Sequence, residues 1–258
     1  MEISLQGRTA VVTGASKGLG YAIADRFVQA GAELVIAARS EGPLAKARDA
    51  LAARAGARVH AVTCDVSTAE GIQRLYDAAM QAFGKVDIVV NNAGVSAAHP
   101  FVEVTDQAWQ ADLDLKLFAA IRLARLVWPQ MKERRWGRII NVLNTAAKAP
   151  GAKSVPTSVS RAAGMALTKA LSAEGAPDNI LVNALLVGKI ESDQWVRRAD
   201  RLGVPLEAVL KDLAGNIPLG RVGRAEEFAA AACFLASDWA SYITGTAINV
   251  DGGLSPVV

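Results

Sequence analysis

Thr13-Gly14-Ala15-Ser16-Lys17-Gly18-Leu19-Gly20 is the stretch whose reading decides the fold. It follows a β-branched run, Thr9–Thr13, and leads into an amphipathic stretch that begins near Tyr21. In such a turn Gly14 allows the tight reversal, Gly18 lets the backbone approach a pyrophosphate, and Gly20 permits close contact between helix and strand. The helix N-terminus that follows offers unpaired N–H groups to an anion. A glycine-rich turn alone is weak evidence, but between a strand and a helix it meets the context that phosphate binding demands.

Outward from this turn, β-branched or aliphatic runs at Thr9–Thr13, Glu33–Ala38, 58–63, 87–91, 138–142, 181–185 and Ala247–Val250 alternate with Ala-rich stretches of helical period. The alternation predicts an α/β fold, a single doubly wound Rossmann domain over residues 1–258, with a seven-stranded parallel sheet and helices on both faces. Neither a repeat nor a Pro/Ser-rich linker interrupts it. Residues 191–220 are the exception, because their mixed polar pattern is more than the sheet needs. At the carboxyl edge of the strands they make a candidate substrate lid.

Composition narrows the function classes. A chain of 258 residues with 52% apolar, 21% charged and two cysteines is not disordered, collagenous or disulfide-stapled. A formal charge of +3 is too mild and too dispersed for a nucleic-acid partner. The cluster Lys132, Arg134, Arg135 and Arg138 also holds Glu133 and reads as a solvated helix end. The longest apolar run, 228–236, is far short of the ~20 residues of a spanning helix, and residues 1–8 lack a signal-peptide core, so a cytoplasmic protein with no membrane partner is expected. Cys64 and Cys233 stand alone and read as buried free thiols; with His60 and His99 equally isolated, no metal site is expected.

The second strand ends Ile36-Ala37-Ala38-Arg39, where an NAD-selective site would place a carboxylate for the ribose 2′-hydroxyl. Arginine there suits a 2′-phosphate, and Lys17 inside the turn supplies a second cation. NADP(H) is therefore expected over NAD(H), with two surface cations as the plainer alternative.

These motifs together resemble the short-chain dehydrogenase/reductase family over essentially the full chain. Residues 13–20 match its TGxxxGxG, Asp65 matches the residue that contacts adenine, and Asn91-Asn92-Ala93-Gly94 matches its NNAG. Pro218-Leu219-Gly220-Arg221, Ser241-Tyr242-Ile243-Thr244-Gly245 and Val250-Asp251-Gly252-Gly253 look like the tail of the bacterial 3-oxoacyl-thioester reductase branch. The resemblance implies cofactor contacts at Gly14, Ser16, Lys17, Gly18, Leu19, Gly20, Arg39, Asp65, Val66, Asn91, Ala93, Gly94, Arg161, Gly188, Ile190 and Ser192. The last three belong to Val187-Gly188-Lys189-Ile190-Glu191-Ser192, similar to the family's PGxIxT with Val187 in place of proline.

The family's chemistry uses an asparagine, a serine, and a tyrosine followed four residues on by a lysine. The resemblance makes the tyrosine the general acid or base, while the lysine binds the nicotinamide ribose and lowers the tyrosine pKa. In this chain the asparagine position falls on Lys116, the serine pair on Leu143 and Asn144, the tyrosine on Thr157 and the lysine on Arg161. No register repairs this, because Tyr21, Tyr76 and Tyr242 are followed four residues later by Asp25, Met80 and Thr246. A threonine hydroxyl is too weak an acid to imitate a phenol, and loss of a positioned acid costs ~10²–10⁴ in rate.

Lys116, Asn144, Thr157 and Arg161 are the catalytic candidates that remain. Lys116 and Arg161 would set two cations beside the nicotinamide, favouring the reduced cofactor. Alternatively they receive an anionic substrate or stabilise an enolate, with Lys116 as proton donor if its pKa is depressed. Lys116 also reads as a solvent-reaching lysine on a helix. Asn144 offers an amide to a carbonyl, whereas Thr145 and His99 read better as strand-end and loop residues. The expectations are an oxidoreductase of atypical mechanism acting on a small carbonyl or hydroxyl compound, a non-catalytic dinucleotide-binding sensor or assembly partner, or a non-redox lyase or isomerase. The Ala/Leu-rich helices near 113–127 and 162–173 suit subunit packing, and the resemblance implies a homotetramer.

Overall fold

The seven apolar runs become seven strands in the computed structural model, which describes residues 3–54 and 56–258. Met1 and Glu2, part of the N-terminal octet read above, lie outside the described residues. The strands are β1 (Thr9–Thr13), β2 (Glu33–Ala38), β3 (Val59–Thr63), β4 (Ile88–Asn91), β5 (Gly137–Asn144), β6 (Ile180–Val187) and β7 (Ala247–Val250). They form one sheet in the order β3-β2-β1-β4-β5-β6-β7, every neighbouring pair parallel. β1 is buried throughout, and β5 and β6 are buried on both faces apart from their last residues, which is why they read as unbroken apolar runs instead of alternating ones.

The helices between strands are α1 (Gly18–Gln29), α2 (Glu41–Ala52), α3 (Ala69–Phe83), α4 (Asp106–Leu113), α5 (Ala119–Arg134) and α6 (Thr157–Gly175). After β6 come α7 (Asp193–Leu202), α8 (Leu206–Ala214) and α9 (Ala225–Ala236). One core packs α1 and α9 on one sheet face around Phe27 and Phe228, both fully buried. Another packs α3 and α5 on the other through Leu75, Leu123 and Met131. Each such side chain contributes ~1.5–3 kcal/mol. Helix starts follow ordinary capping: Thr68 accepts the Gly71 N–H at 3.0 Å and Thr105 the Ala108 N–H at 3.2 Å.

Two local features matter for the site. Between α4 and α5 the chain passes through a π turn, Asp114–Phe118, a device frequent at functional sites. Residues 191–220 hold α7 and α8, which share a small core of Trp195, Ala199, Val209 and Leu213 separate from the sheet cores.

Arg138 corrects the reading of the basic cluster as a solvated helix end. It lies on β5, is 1% exposed, stacks 4.2 Å from the Trp136 ring centroid and pairs with Asp238 at 3.5 Å. Burial pulls its guanidinium down to about 10. Both cysteines are free and buried. Among the described residues no helix is long and apolar enough to cross a membrane, and no cluster of metal-type ligands occurs.

Candidate active site

The order of insertion of strands reverses between β1 and β4, and in open α/β sheets ligands bind in the crevice beyond the carboxyl ends at such a point. A cleft of about 590 Å³ opens there, within the range of small-molecule sites. Its floor is the glycine turn. Gly14 has φ +67°, and a Cβ on it would lie 2.9 Å from the Ala93 backbone. A Cβ on Gly20 would overlap the Gly14 carbonyl oxygen and lie 2.5 Å from Asn92 Nδ2. That amide locks the turn to β4 by donating to the Thr13 carbonyl at 2.9 Å and to the Gly14 carbonyl at 3.2 Å. Thr13 Oγ1 in turn accepts the N–H groups of Asn92 and Ala93, both at 3.0 Å.

At one end of the cleft the wall includes Ser16, Lys17, Leu19, Arg39, Asp65 and Val66. The N-terminus of α1 carries no side-chain cap and no acidic residue in its first turn, so its backbone donors are left for an anion. Asp65 accepts the Ser67 N–H at 2.9 Å and the Ser67 hydroxyl at 2.8 Å; the backbone bond chiefly holds its carboxyl below the usual range, and Arg39 adds to this.

At the other end Ala93, Gly94, Asn144, Thr157, Arg161 and Gly188 line the same cleft. Arg161 donates through Nη1 to the Val142 carbonyl at 2.7 Å, and Nη2 passes over Gly94, where a Cβ would sit 2.5 Å away. Burial pulls its pKa down to about 10, Asp112 opposing, so it remains a cation at neutral pH. Arg161 Nε and Asn144 Oδ1 are buried and have no hydrogen-bond partner among the described residues. Buried polar atoms of this kind are normally satisfied, so they point to a polar ligand at this end.

Lys116 lies neither in the cleft wall nor in solvent, which corrects both readings of it. Its side chain is 0% exposed, forms a buried ion pair with Asp112 one helical turn earlier, and donates to Thr157 Oγ1 at 2.9 Å. Asp112 Oδ2 accepts the Ser160 hydroxyl at 2.6 Å, and Thr157 Oγ1 also accepts the Ala97 N–H at 2.9 Å. Burial holds the Lys116 ammonium below the ordinary lysine range, aided by Arg161, while the Asp112 hydrogen bond and charge resist. The expected pair of bare cations is thus one cation, Arg161, in the wall and a neutralised pair behind it.

Gly18, Asn91, Ile190 and Ser192 stand outside the wall. Gly18 opens α1 at φ +56° with clear space before it. Asn91 donates to Asn141 Oδ1 at 2.9 Å inside the sheet. Ile190 is buried and its carbonyl accepts from Trp195 Nε1 at 2.7 Å, while Ser192 is the N-cap of α7. His99 is exposed and holds the loop through its N–H to the Val155 carbonyl at 2.9 Å.

The sequence reading missed Asp112, Ser160, Lys189, Gln194, Trp195 and Cys64. Asp112 carried a usable signal, a carboxylate four residues before Lys116. Gln194 and Trp195 reach the cleft because α7 folds over it, and nothing in their local pattern announces that. Cys64 forms part of the wall, its thiol pushed by burial up to about 11.

Known proteins are similar to this chain over nearly its whole length. Residues 14–255 match the family profile described as enoyl-(acyl carrier protein) reductase. A 3-oxoacyl-[acyl-carrier-protein] reductase of Aquifex aeolicus is 34% identical over 98% of this chain and 100% of that protein. L-sorbose reductase from Gluconobacter frateurii, solved with NADPH and L-sorbose, superposes with a TM-score of 0.97 at 36% identity over 100% of both chains. An NADPH-bound short-chain oxidoreductase from Pseudomonas aeruginosa, described as containing an atypical catalytic center, superposes with a TM-score of 0.92 at 39% identity over 99% of both.

Proposed function

The chain belongs to the short-chain dehydrogenase/reductase family, and on that premise we propose that it is an NADP(H)-dependent oxidoreductase of small carbonyl or hydroxyl compounds with a divergent active site. The observation that carries this reading is the continuity of one cleft from Lys17 and Arg39, past the uncapped start of α1, to Arg161, Asn144 and Thr157. A phosphorylated dinucleotide fits that sequence of features: cations for a 2′-phosphate, free backbone donors for a pyrophosphate, and unsatisfied polar atoms for a ribose and carboxamide. Gly14, Ser16, Leu19, Gly20, Asp65, Val66, Ala93, Gly94 and Gly188 would hold it with Lys17, Arg39 and Arg161. Gly18, Asn91, Ile190 and Ser192 support the same walls from behind. When bound, NADPH supplies a hydride.

The divergence lies at Lys116, Asn144, Thr157 and Arg161, the positions that resemblance equates with the family tetrad. The chain has no tyrosine followed by a lysine four residues on, so the acid that serves a reduced carbonyl oxygen comes from another group. Arg161 stays charged and orients ligand by hydrogen bonds without joining a proton relay. One net positive charge at this end favours reduced over oxidised cofactor. The P. aeruginosa neighbour described as containing an atypical catalytic center supports an active protein of this kind. With the Lys116 ammonium sealed behind Thr157, the non-redox lyase or isomerase reading loses one of the two open cations on which it depended and keeps Arg161 alone.

Residues 191–220 act as the substrate lid, with Gln194 and Trp195 bordering the cleft. Subunits pair through the groove between α5 and α6, a hollow of about 410 Å³ lined by Ile121, Trp128, Pro129, Leu167 and Leu171 together with the charged Arg125 and Glu174, within a cytoplasmic homotetramer. The test is to titrate purified protein with NADPH and NADH by fluorescence. A panel holding a ketose, a 3-oxoacyl thioester and simple ketones is then scored by loss of NADPH absorbance. Tighter NADPH binding with slow turnover is expected. Binding without any turnover selects the non-catalytic sensor reading, and no NADPH binding overturns the proposal.

A further inference from the structure

Thr157 occupies the boundary between the cleft and a buried polar cluster, and its hydroxyl is unusually committed. A threonine hydroxyl has two acceptor lone pairs and one proton. Both lone pairs are taken, one by Lys116 Nζ at 2.9 Å and the other by the Ala97 N–H at 2.9 Å. Among the described residues the hydroxyl donates to nothing, and the residue lines the cleft. The one direction left for its proton is toward whatever occupies that cleft. Behind it the ammonium is fixed by Asp112 Oδ1, and Asp112 is fixed by Ser160 through Oδ2 at 2.6 Å. Ser160 and Thr157 lie on the first turn of α6, Asp112 on α4 and Lys116 in the π turn, so three segments converge on one hydrogen-bonded line.

We propose that Thr157 and Lys116 form a two-step proton relay that replaces the missing phenol, with Asp112 and Ser160 as positioning residues. The inference rests on the redox reading above and adds the identity of the acid. As a substrate carbonyl oxygen gains negative charge, the Thr157 O–H bond breaks and a new O–H bond forms on the substrate. In the same event an Lys116 N–H bond breaks and its proton restores the Thr157 hydroxyl. Threonine therefore never carries a net charge, and its weakness as a free acid does not limit the step. Lys116 is left as a neutral amine hydrogen-bonded to the Asp112 carboxylate and regains its proton by the same relay run in reverse, from water in the emptied cleft through the Thr157 hydroxyl. The electrons for bond formation come from the hydride of the cofactor, so the relay carries protons only.

The charged groups that face Lys116 are Asp112 from α4 and Arg161 from α6. Burial and Arg161 make its proton easier to release than that of a free lysine, and the Asp112 carboxylate keeps the amine aimed at Thr157. Substrate oxygens that fit this donor are those bearing no proton of their own before reduction, aldehyde and ketone carbonyls in particular.

The test uses the full chain and has one arm that needs no turnover. Protein labelled with 13C at the lysine side-chain terminus is titrated by NMR without cofactor, the Lys116→Met variant assigning the resonance. Titration of Lys116 below the ordinary lysine range, displaced further downward in Asp112→Asn, is the expected result; an ordinary lysine titration overturns the relay. In single-turnover NADPH oxidation, Thr157→Val and Lys116→Arg should each lose ~10²–10⁴-fold in rate while NADPH fluorescence titrations still report binding. Arginine keeps the charge but does not release its proton. Thr157→Ser should restore most of the rate lost in Thr157→Val. Wild-type speed in Thr157→Val or Lys116→Arg overturns the proposal. Absence of turnover in the wild type refutes the redox reading, and the NMR arm then decides the proton-donor geometry by itself.

Discussion

Replacing Asp112 with asparagine should destabilise this protein far more than an ordinary surface substitution, because it leaves Lys116 charged and unpaired in the interior. The two side chains are 2% and 0% exposed. Removing one partner of a buried pair costs ~3–5 kcal/mol. At roughly 2–4 °C of melting temperature per kcal/mol for a chain of this size class, the melting temperature should fall by ~6–20 °C. The penalty has a defined dependence on pH. Burial already holds the folded Lys116 below its unfolded value, and loss of Asp112, which opposes that effect, takes it lower. Between the two pKa values the unfolded chain binds more protons than the folded one, so stability rises with pH across that window. The deficit of Asp112→Asn should therefore be largest near neutral pH and shrink toward alkaline pH. Exchanging both members, Asp112→Asn with Lys116→Met, should recover the larger part, since an apolar replacement of a buried pair is often nearly neutral. Urea unfolding followed by tryptophan fluorescence at several pH values measures all three. A deficit below ~1 kcal/mol, the ordinary scale of an exposed pair, or a double variant as unstable as the single one, would refute the reasoning.

Arg39→Glu should weaken NADPH binding by roughly 10–150-fold, the equivalent of one charged hydrogen bond of ~1.5–3 kcal/mol, and leave NADH binding unchanged or improved. Calorimetric titration with both cofactors checks it, and equal losses for the two would show that Arg39 does not read the 2′-position. Gly20→Ala should abolish dinucleotide binding and cost at least ~1–3 kcal/mol, because the new methyl meets the Gly14 carbonyl and Asn92; unchanged NADPH fluorescence enhancement would be the contrary result. The thiols of Cys64 and Cys233 are both raised by burial from 9.0 to about 11. Between those values the folded chain keeps protons that the unfolded chain releases, so their contribution is full below pH 9 and lost as pH rises toward 11, ~3 kcal/mol per thiol at most. Urea midpoints across this range should fall less steeply in Cys233→Ala than in the wild type; parallel curves would exclude that thiol as the cause.

The seven strands, the parallel sheet and the glycine turn were legible from residues alone. β1, β5 and β6 are buried on both faces and show themselves as apolar runs, and the spacing of Gly14, Gly18 and Gly20 has meaning within one turn of chain. The observed strands agree with the sequence reading to within two residues at their ends, the longest extensions being in β5 and β6, where Leu143 and Asn144 continue the pairing with Leu186 and Val187. Composition and periodicity sufficed there because the forces involved act between neighbours in sequence or between whole faces of an element.

The chemistry of the pocket was legible as a list of residue types and not as an arrangement. Resemblance located Lys116, Thr157 and Arg161, yet it gave no means of deciding which of them faces the cleft. Asp112 and Lys116 are one helical turn apart in sequence, a spacing equally common on solvated helices. Their burial is decided by α6, which lies across the π turn and brings Thr157 and Ser160 against them. Arg138 makes the same point: among other cations it looks solvated, whereas Trp136 and Asp238 enclose it. Local patterning determines where helices and strands form because backbone sterics and one-sided burial act over a few residues. The ionisation, partners and aim of a buried charge depend on groups distant in the chain, and those exist as neighbours only after the layers have packed.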